Sequence, residues 1–270
     1  MSARSSAIDE RAARRRFARA ARAYAGASRL EAEVATRMLE RLEYVKLAPR
    51  RILDAGSGPA REASALAARY QGAQIIALDY ALAMLPRPRR WFKGPTVAVC
   101  GDIAHLPLAP QSVELVWCNM ALHWVNEPLA AFREFARVLA PEGLLMFSTL
   151  GPDTLKELRA AAGAARVHAF IDMHDLGDML LAAGMQAPVM DMELLRMEYR
   201  AGDELLADLR ASGQSNARAD RPRSLAGHAF LKAFRAAPVS ATYEVVYGHA
   251  WRRADAAPAV KTVRVFKRFS

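Results

Sequence analysis

Short apolar runs alternate with amphipathic stretches between residues 50 and 150 of this chain. The apolar runs predict five strands, ILDAG, QIIALD, TVAVC, VELVWC and LLMFSTL. The stretches between them predict helices over about 61–70 and 127–139, and a short helix after QIIALD that Pro86 and Pro88 stop. Strands that are apolar on both faces are typical of a parallel sheet covered by helices on both sides. The alternation therefore predicts a doubly wound α/β fold.

Further elements are predicted on both sides of this alternating region. Two N-terminal helices precede it, over 9–25 and 28–47. After it, helices are predicted over 153–164 and 172–183, followed by a strand over 188–197. A basic helical stretch over 202–236 and a last strand, ATYEVVYGHAWRR, complete the order. An insertion between two late strands would lie over the carboxyl edge of the sheet, where such folds bind ligands. We therefore interpret 202–236 as a helical cap.

The two late strands extend the predicted sheet to seven strands, most of them parallel. A chain of 270 residues is long enough for one sizeable core. We predict a single domain over 1–270, in which N-terminal helices (1–47) precede a cofactor-binding half (48–150) and a substrate half (151–270) that contains the cap.

The net charge is +10, and eight arginines fall within the first 30 residues. A second basic cluster lies late in the chain, at Arg218, Arg221, Arg223, Lys232 and Arg235. Such a surface attracts acidic partners, namely nucleic acid, anionic lipid or an acidic carrier protein. It is equally compatible with a solvated basic surface that binds nothing.

Other features narrow the class of protein. No apolar run approaches the length needed to cross a bilayer, so no membrane association is predicted. Cys100 and Cys118 lack metal-ligand spacing, which favours reduced core thiols in a cytoplasmic protein. The histidines His105, His168 and His174 are too scattered to indicate a metal, and none is predicted.

A glycine turn follows the first predicted strand. The strand ends in Asp54, and Gly56 and Gly58 then allow the backbone to approach a ligand closely. Asp79 ends the next strand about 20 residues later, where a carboxylate can hold a ribose. A dinucleotide-binding turn would have a third glycine where Arg61 stands, which argues against that cofactor class.

The turn is the first of four ordered motifs that resemble those of class I S-adenosylmethionine-dependent methyltransferases. The motifs are LDAGSGPA, ALDYALAML, GDIAHLP and VELVWCNMALHWV. The family's usual third glycine is Ala60 here. The resemblance implies S-adenosylmethionine as methyl donor. It implies a cofactor site made of Asp54, Gly56, Gly58, Asp79, Tyr80, Met84, Asp102, Ile103 and Asn119, with Asp79 on the ribose hydroxyls and Asp102 and Ile103 beside the adenine.

A second resemblance covers nearly the whole chain. RRRFARAARAY, LHWVNEPLAAFRE, STLGPDTLKELR, HDLGDMLLAAGM, LRASGQSN and YEVVYGHAW are together similar to the malonyl-[acyl-carrier protein] O-methyltransferases of biotin synthesis. Those enzymes methylate the free carboxyl group of a malonyl thioester on an acidic acyl-carrier protein. The resemblance implies that Tyr24 lines the active site, with His123 and Trp124 beside the acceptor. It also implies that Arg210 is the cap arginine that pairs with the malonyl carboxylate. Packing in the loop is the alternative for His123 and Trp124, and a surface role is the alternative for Arg210.

Two other functions stay open at this point. DTLKELR, HDLGDML, GQSN and ATYEVVYGHAW also resemble the methyltransferase-like arginine hydroxylase that assists respiratory complex I assembly. The N-terminal Phe/Tyr helix and the arginines of the cap favour the biotin enzyme. An RNA methyltransferase rests on charge alone, and nucleic acid is an unlikely partner because no RNA-binding module is recognisable.

Overall fold

The computed structural model describes residues 7–86, 96–221 and 234–254. Their strands form one sheet and are β1 (Arg51–Ala55), β2 (Gln74–Asp79), β3 (Thr96–Cys100), β4 (Val113–Cys118), β5 (Leu139–Leu150), β6 (Met185–Tyr199) and β7 (Val239–Arg252). The spatial order is β3-β2-β1-β4-β5-β7-β6. β1 to β5 run parallel, and β7 runs antiparallel to both of its neighbours. The predicted mostly parallel, seven-stranded α/β fold is therefore confirmed.

Helices connect and cover these strands. In the described residues they are α1 (Glu10–Ala20), α2 (Tyr24–Ala27), α3 (Arg29–Arg41), α4 (Ala63–Arg69), α5 (Pro128–Val138), α6 (Lys156–Ala162), α7 (Met173–Ala182) and α8 (Gly202–Ala211). Asp9 caps α1 by accepting a hydrogen bond from the Ala12 N–H at 3.0 Å. Pro128 begins α5, where its missing N–H costs no helical hydrogen bond.

The core lies on both faces of the sheet. Along the central strand β4, Leu115 and Trp117 pack into one apolar cluster, and Val116 and Cys118 pack into the other. All four side chains are fully buried, as the period of two along a strand requires. Because such a core is close-packed, the loops at the carboxyl end of β4 start from a fixed position.

The N-terminal half differs from the predicted elements in three places. The single helix predicted over 9–25 is two helices, because a turn at residues 21–23 separates α1 from α2. The short helix predicted after QIIALD is only a turn as far as residue 86, where this described segment ends. Cys100 is exposed rather than a core thiol, because β3 is an edge strand of the sheet.

The predicted cap over 202–236 is helical only in part. α8 ends at Ala211, and Gly213 follows it with a φ of +76°, a left-handed conformation that stops a helix. Residues 214–221 contain no helix. Arg223 and Lys232 of the predicted basic cluster lie outside the described residues.

Candidate functional site

The strand order reverses between β1 and β4, and a cavity opens at the carboxyl ends of these two strands. Ligands of doubly wound folds bind at such a reversal point. The cavity, which we call the main cavity, has a volume of about 370 Å³. Its lining includes ten of the thirteen residues predicted for the site, namely Tyr24, Gly56, Gly58, Asp79, Tyr80, Met84, Asp102, Ile103, Asn119 and Trp124.

The glycine turn forms the floor of the main cavity. Gly56 and Gly58 have φ angles of +76° and +53°, which side-chain-bearing residues rarely adopt. A Cβ atom on Gly56 would lie 2.3 Å from the Cβ of Ala121, in the loop after β4. Ala60, which stands where the family usually has a third glycine, also has a positive φ, of 55°. The close approach of the two loops therefore depends on Gly56.

The carboxylate of Asp79 is fixed at the wall of the cavity by two backbone groups. Oδ2 accepts a hydrogen bond from the Gly58 N–H at 3.0 Å, and Oδ1 accepts one from the Ala81 N–H at 2.7 Å. Burial raises the pKa of Asp79 to about 6, and these two hydrogen bonds offset part of that effect. The side chain is thus held in one orientation and keeps oxygen lone pairs for hydroxyl donors.

The part of the lining that follows β3 combines an acidic and an apolar residue. Asp102 Oδ1 accepts a hydrogen bond from the Ala104 N–H at 2.9 Å, which turns the backbone just after β3. The neighbouring side chain of Ile103 is buried and lines the main cavity. This pair can offer a planar ring one apolar surface and one carboxylate acceptor.

Asn119, the first residue after β4, contacts β5, α3 and the residue that precedes α4. Its Oδ1 accepts a hydrogen bond from the Ser148 hydroxyl of β5 at 2.8 Å, and its Nδ2 donates to the Glu31 carbonyl oxygen of α3 at 3.0 Å. The same Nδ2 lies 3.5 Å from the carboxylate of Glu62. Asn119 therefore sits in a preorganised network at the edge of the cavity.

Asp54 lies beneath the glycine turn and does not line the main cavity. It is buried, and its Oδ2 has no hydrogen-bond partner among the described residues. Burial, followed by the charges of Glu62 and Asp79, holds the pKa of Asp54 well above its usual range. A buried acidic group of this kind favours a cationic group nearby.

An aromatic wall closes the main cavity on the side of α1. Phe17 meets Trp124 edge-to-face with 4.9 Å between ring centroids, and Tyr24 lies within 4 Å of a Cβ built on Gly58. Burial, followed by the charges of Glu31 and Glu62, holds the pKa of Tyr24 well above its usual range. Trp124 was predicted beside the acceptor, whereas Phe17 was not among the predicted site residues. The signal for Phe17 was its place on the apolar face of an otherwise arginine-rich helix.

His123 and Arg210 do not line the main cavity. The ring of His123 lies behind Trp124, where its Nδ1 is 3.5 Å from the Thr149 hydroxyl. Burial, followed by the neighbouring His168, lowers the pKa of His123 to about 3, so the ring is neutral at physiological pH. Arg210 is exposed on α8. The structure thus does not bring these two predicted residues to the cavity wall.

The described residues contain neither a metal-binding cluster nor a membrane-spanning helix. In residues 7–86, 96–221 and 234–254, no three His, Cys, Asp or Glu side chains are grouped so that they could hold a metal ion. No helix in the same part of the chain is long and apolar enough to span a membrane.

Known proteins resemble the chain at two levels. Residues 53–147 match the family model described as a methyltransferase domain. Among solved structures, the YcgJ protein of Bacillus subtilis has a TM-score of 0.57 at 18% identity, with 83% of this chain and 99% of that chain covered. The BH2331 protein of Bacillus halodurans has a TM-score of 0.55 at 15% identity, with 81% of this chain and 98% of that chain covered. These structural matches support the fold.

Curated relatives match over nearly the full length. The malonyl-[acyl-carrier protein] O-methyltransferase of Methylovorus sp. (strain MP688) is 48% identical, with 91% of this chain and 90% of the relative covered. The protein of the same name from Gallionella capsiferriformans is 47% identical, with 94% and 97% covered. At this identity and coverage, the chain belongs to the malonyl-[acyl-carrier protein] O-methyltransferase family.

Proposed function

We propose that this protein transfers the methyl group of S-adenosylmethionine to the free carboxylate of a malonyl thioester on an acyl-carrier protein, an early step of biotin synthesis. The observation that carries the proposal is family membership over nearly the whole chain. The main cavity supports it, because a fixed carboxylate and a glycine turn meet there at the reversal point of the sheet.

The residues of the main cavity fit an adenosine-containing methyl donor. Asp79 would accept hydrogen bonds from the ribose hydroxyls, and charged acceptors make such bonds stronger. Asp102 and Ile103 would hold the adenine ring. The acidic surroundings of Asn119, with Glu62 and the buried Asp54, would favour the ammonium group of the donor's amino acid end. When bound, the donor supplies an electrophilic methyl group on a sulfonium.

A carboxylate acceptor suits this site because no strong base is needed. The acceptor carboxyl group is already ionised at about pH 7. The task of the protein is to hold the acceptor close to the methyl group and in line with it, which accounts for much of the rate in such transfers. The wall formed by Phe17, Tyr24 and Trp124 would exclude water from the reacting groups.

The outer face of α1 supports an acidic carrier protein as partner. Exposed arginines follow this face and the turn after it, and no ion pair joins them to another described residue; they are Arg11, Arg14, Arg15 and Arg19 on the helix and Arg22 in the turn. The inner face of the same helix carries Phe17 into the main cavity. A carrier docked on these arginines would therefore stand beside the reaction site. We also assign the protein to the cytoplasm, where its free thiols would stay reduced.

Mass spectrometry of the carrier protein after reaction tests the proposed activity. With malonyl-carrier protein and S-adenosylmethionine, the carrier should gain one methyl group, and acetyl-carrier protein, which has no free carboxylate, should gain none. Asp79→Asn should weaken donor binding at least about tenfold, because it replaces charge-assisted hydrogen bonds by neutral ones. The absence of methyl gain on malonyl-carrier protein would contradict the proposal, and an added oxygen on an arginine of a partner protein would favour the hydroxylase instead.

Charge reversal on α1 tests the docking of the carrier. Arg14→Glu combined with Arg19→Glu should raise the KM for malonyl-carrier protein about tenfold or more, because it places like charges opposite an acidic partner. The KM for malonyl-pantetheine, which lacks the carrier, should not change. Arg196→Glu combined with Arg200→Glu is the matched control, because it changes the net charge by the same amount at exposed positions on and beside β6. Equal KM increases for both substrates would exclude a docking role for α1.

A further inference from the structure

Two smaller cavities lie on the other side of the loop that follows β4. This loop contains a short 3-10 helix, Leu122–Trp124, which places neighbouring side chains on different sides. Trp124 lines both the main cavity and a cavity of about 40 Å³. His123 lines that small cavity and a second one of about 150 Å³. The indole of Trp124 therefore borders both the small cavity and the main cavity.

Two neutral histidines face this small cavity, the half-buried His123 and the buried His168. His123 Nε2 is sealed from solvent and has no hydrogen-bond partner among the described residues, whereas its Nδ1 is near the hydroxyl of Thr149. If the Thr149 hydroxyl donates to Nδ1, the ring proton lies on Nε2 and is available to an acceptor. His168 Nε2 accepts a hydrogen bond from the Ala217 N–H at 2.8 Å, so the proton of His168 lies on Nδ1.

The surroundings of these histidines are positively charged. Burial, followed by the charges of Arg16 and Arg218, lowers the pKa of His168 to about 4. Arg166 lines the small cavity. Within the described residues, no other lysine or arginine lines this cavity, the main cavity or the 150 Å³ cavity. The main cavity is instead lined by four carboxylates, Glu10, Asp79, Asp102 and Glu127.

We infer that His123, His168 and Arg166 form a subsite that binds the free carboxylate of the acyl acceptor. The inference rests on the proposed function, in which the acceptor is an anion. The lining of the main cavity is acidic, so the anion needs a cationic site beside it. A site of about 40 Å³ has room for two or three water-sized groups, which suits a carboxylate, since one water needs about 10–15 Å³. Neutral N–H donors would hold one carboxylate oxygen while the other faces Trp124 and the main cavity. Arg166 supplies the charge that attracts the anion.

The chain offers variants that separate hydrogen bonding from packing. His123→Phe keeps a flat ring in the aromatic cluster with Trp124 and Phe170 but removes the N–H donor. His123→Gln replaces the ring by an amide that again presents an N–H. Arg166→Gln removes the charge at a partly exposed position. Arg196→Gln removes an arginine from the exposed side of β6 and serves as the control.

The test measures the dissociation constants of malonyl-carrier and acetyl-carrier protein in the presence of S-adenosylhomocysteine, which permits no transfer. The wild type should prefer the malonyl form. His123→Phe and Arg166→Gln should each reduce this preference about tenfold or more, since a hydrogen bond to a charged group is lost. His123→Gln should restore most of it, and Arg196→Gln should not change it. Docking of the carrier contributes equally to both dissociation constants, so it cancels in the ratio of the acetyl-carrier constant to the malonyl-carrier constant.

Two outcomes would overturn the subsite, and they are distinguishable from each other. If the wild type methylates malonyl-carrier protein but the variants keep the full malonyl preference, the subsite is wrong and the proposed function stands. If the wild type does not methylate malonyl-carrier protein, the proposed function fails and the subsite fails with it. Unchanged affinity for S-adenosylhomocysteine shows that a variant is folded, and Arg166→Gln decides the question if His123→Phe does not fold.

Discussion

Glu31→Gln removes a buried carboxyl group from α3 and should stabilise the protein above about pH 7. Burial raises the pKa of Glu31 from 4.5 to about 7, although a hydrogen bond from Gln214 and the charge of Arg61 offset part of this. The folded state thus binds the proton more tightly than the unfolded state. The stabilisation that comes from protonated Glu31 is fully present below pH 4.5 and is lost as the pH rises through about 7. At about 1.4 kcal/mol per pKa unit, the shift corresponds to about 3 kcal/mol.

Urea unfolding at about pH 5 and about pH 9 measures this effect. Glu31→Gln and wild type should have similar free energies of unfolding at the acidic end, and the variant should be about 3 kcal/mol more stable at the alkaline end. Glu40 lies on the exposed side of the same helix, so Glu40→Gln is the matched control and should follow the wild type. Parallel pH profiles for Glu31→Gln and wild type would refute the reasoning, because they would mean that Glu31 is ionised without cost.

Two further substitutions probe the turn and the core. Gly56→Ala should weaken binding of S-adenosylmethionine by at least about tenfold in calorimetry, because the added Cβ meets Ala121 at 2.3 Å in addition to the strain of a positive φ. Gly184→Ala has a similar φ but open space around the Cβ, so it should lose stability without losing affinity; equal affinity losses would show that strain alone is responsible. Phe132→Ala should cost about 3–5 kcal/mol in urea unfolding, since the ring is fully buried and meets Phe147 edge-to-face. A loss below about 1 kcal/mol would mean that the core closes around the missing ring.

The cofactor half was predictable because its signals are local. A buried strand that ends in glycines, and another that ends in an aspartate, determine where their next residues lie once the strands are parallel neighbours. Asp79 reaches the Gly58 N–H because β1 and β2 pair in register from Arg51↔Gln74 onward. The positions of the predicted cofactor residues follow from this geometry.

The acceptor side was less predictable because it depends on the direction of single side chains. His123 and Trp124 are adjacent in sequence, but the 3-10 turn directs Trp124 to the main cavity and His123 behind it. Arg210 follows Leu209, which α8 buries, so the helical rotation of about 100° per residue turns Arg210 to solvent. The role of Arg166 had no signal in the sequence, since its relation to His123 arises only when the loop after β4 and the segment after α6 meet.

The strand β7 fills the position between β5 and β6, although both of those strands precede it in the chain. In the described residues β6 pairs with no strand except β7, along the whole length from Met185 to Tyr199. During synthesis, a chain that has emerged only through β6 therefore has all of the parallel strands β1 to β5 and one further long strand with both edges open. Open edges are templates for pairing with other chains. Loss of β7 would release two strands from the sheet rather than one, so correct folding of the acceptor side waits for residues 239–252.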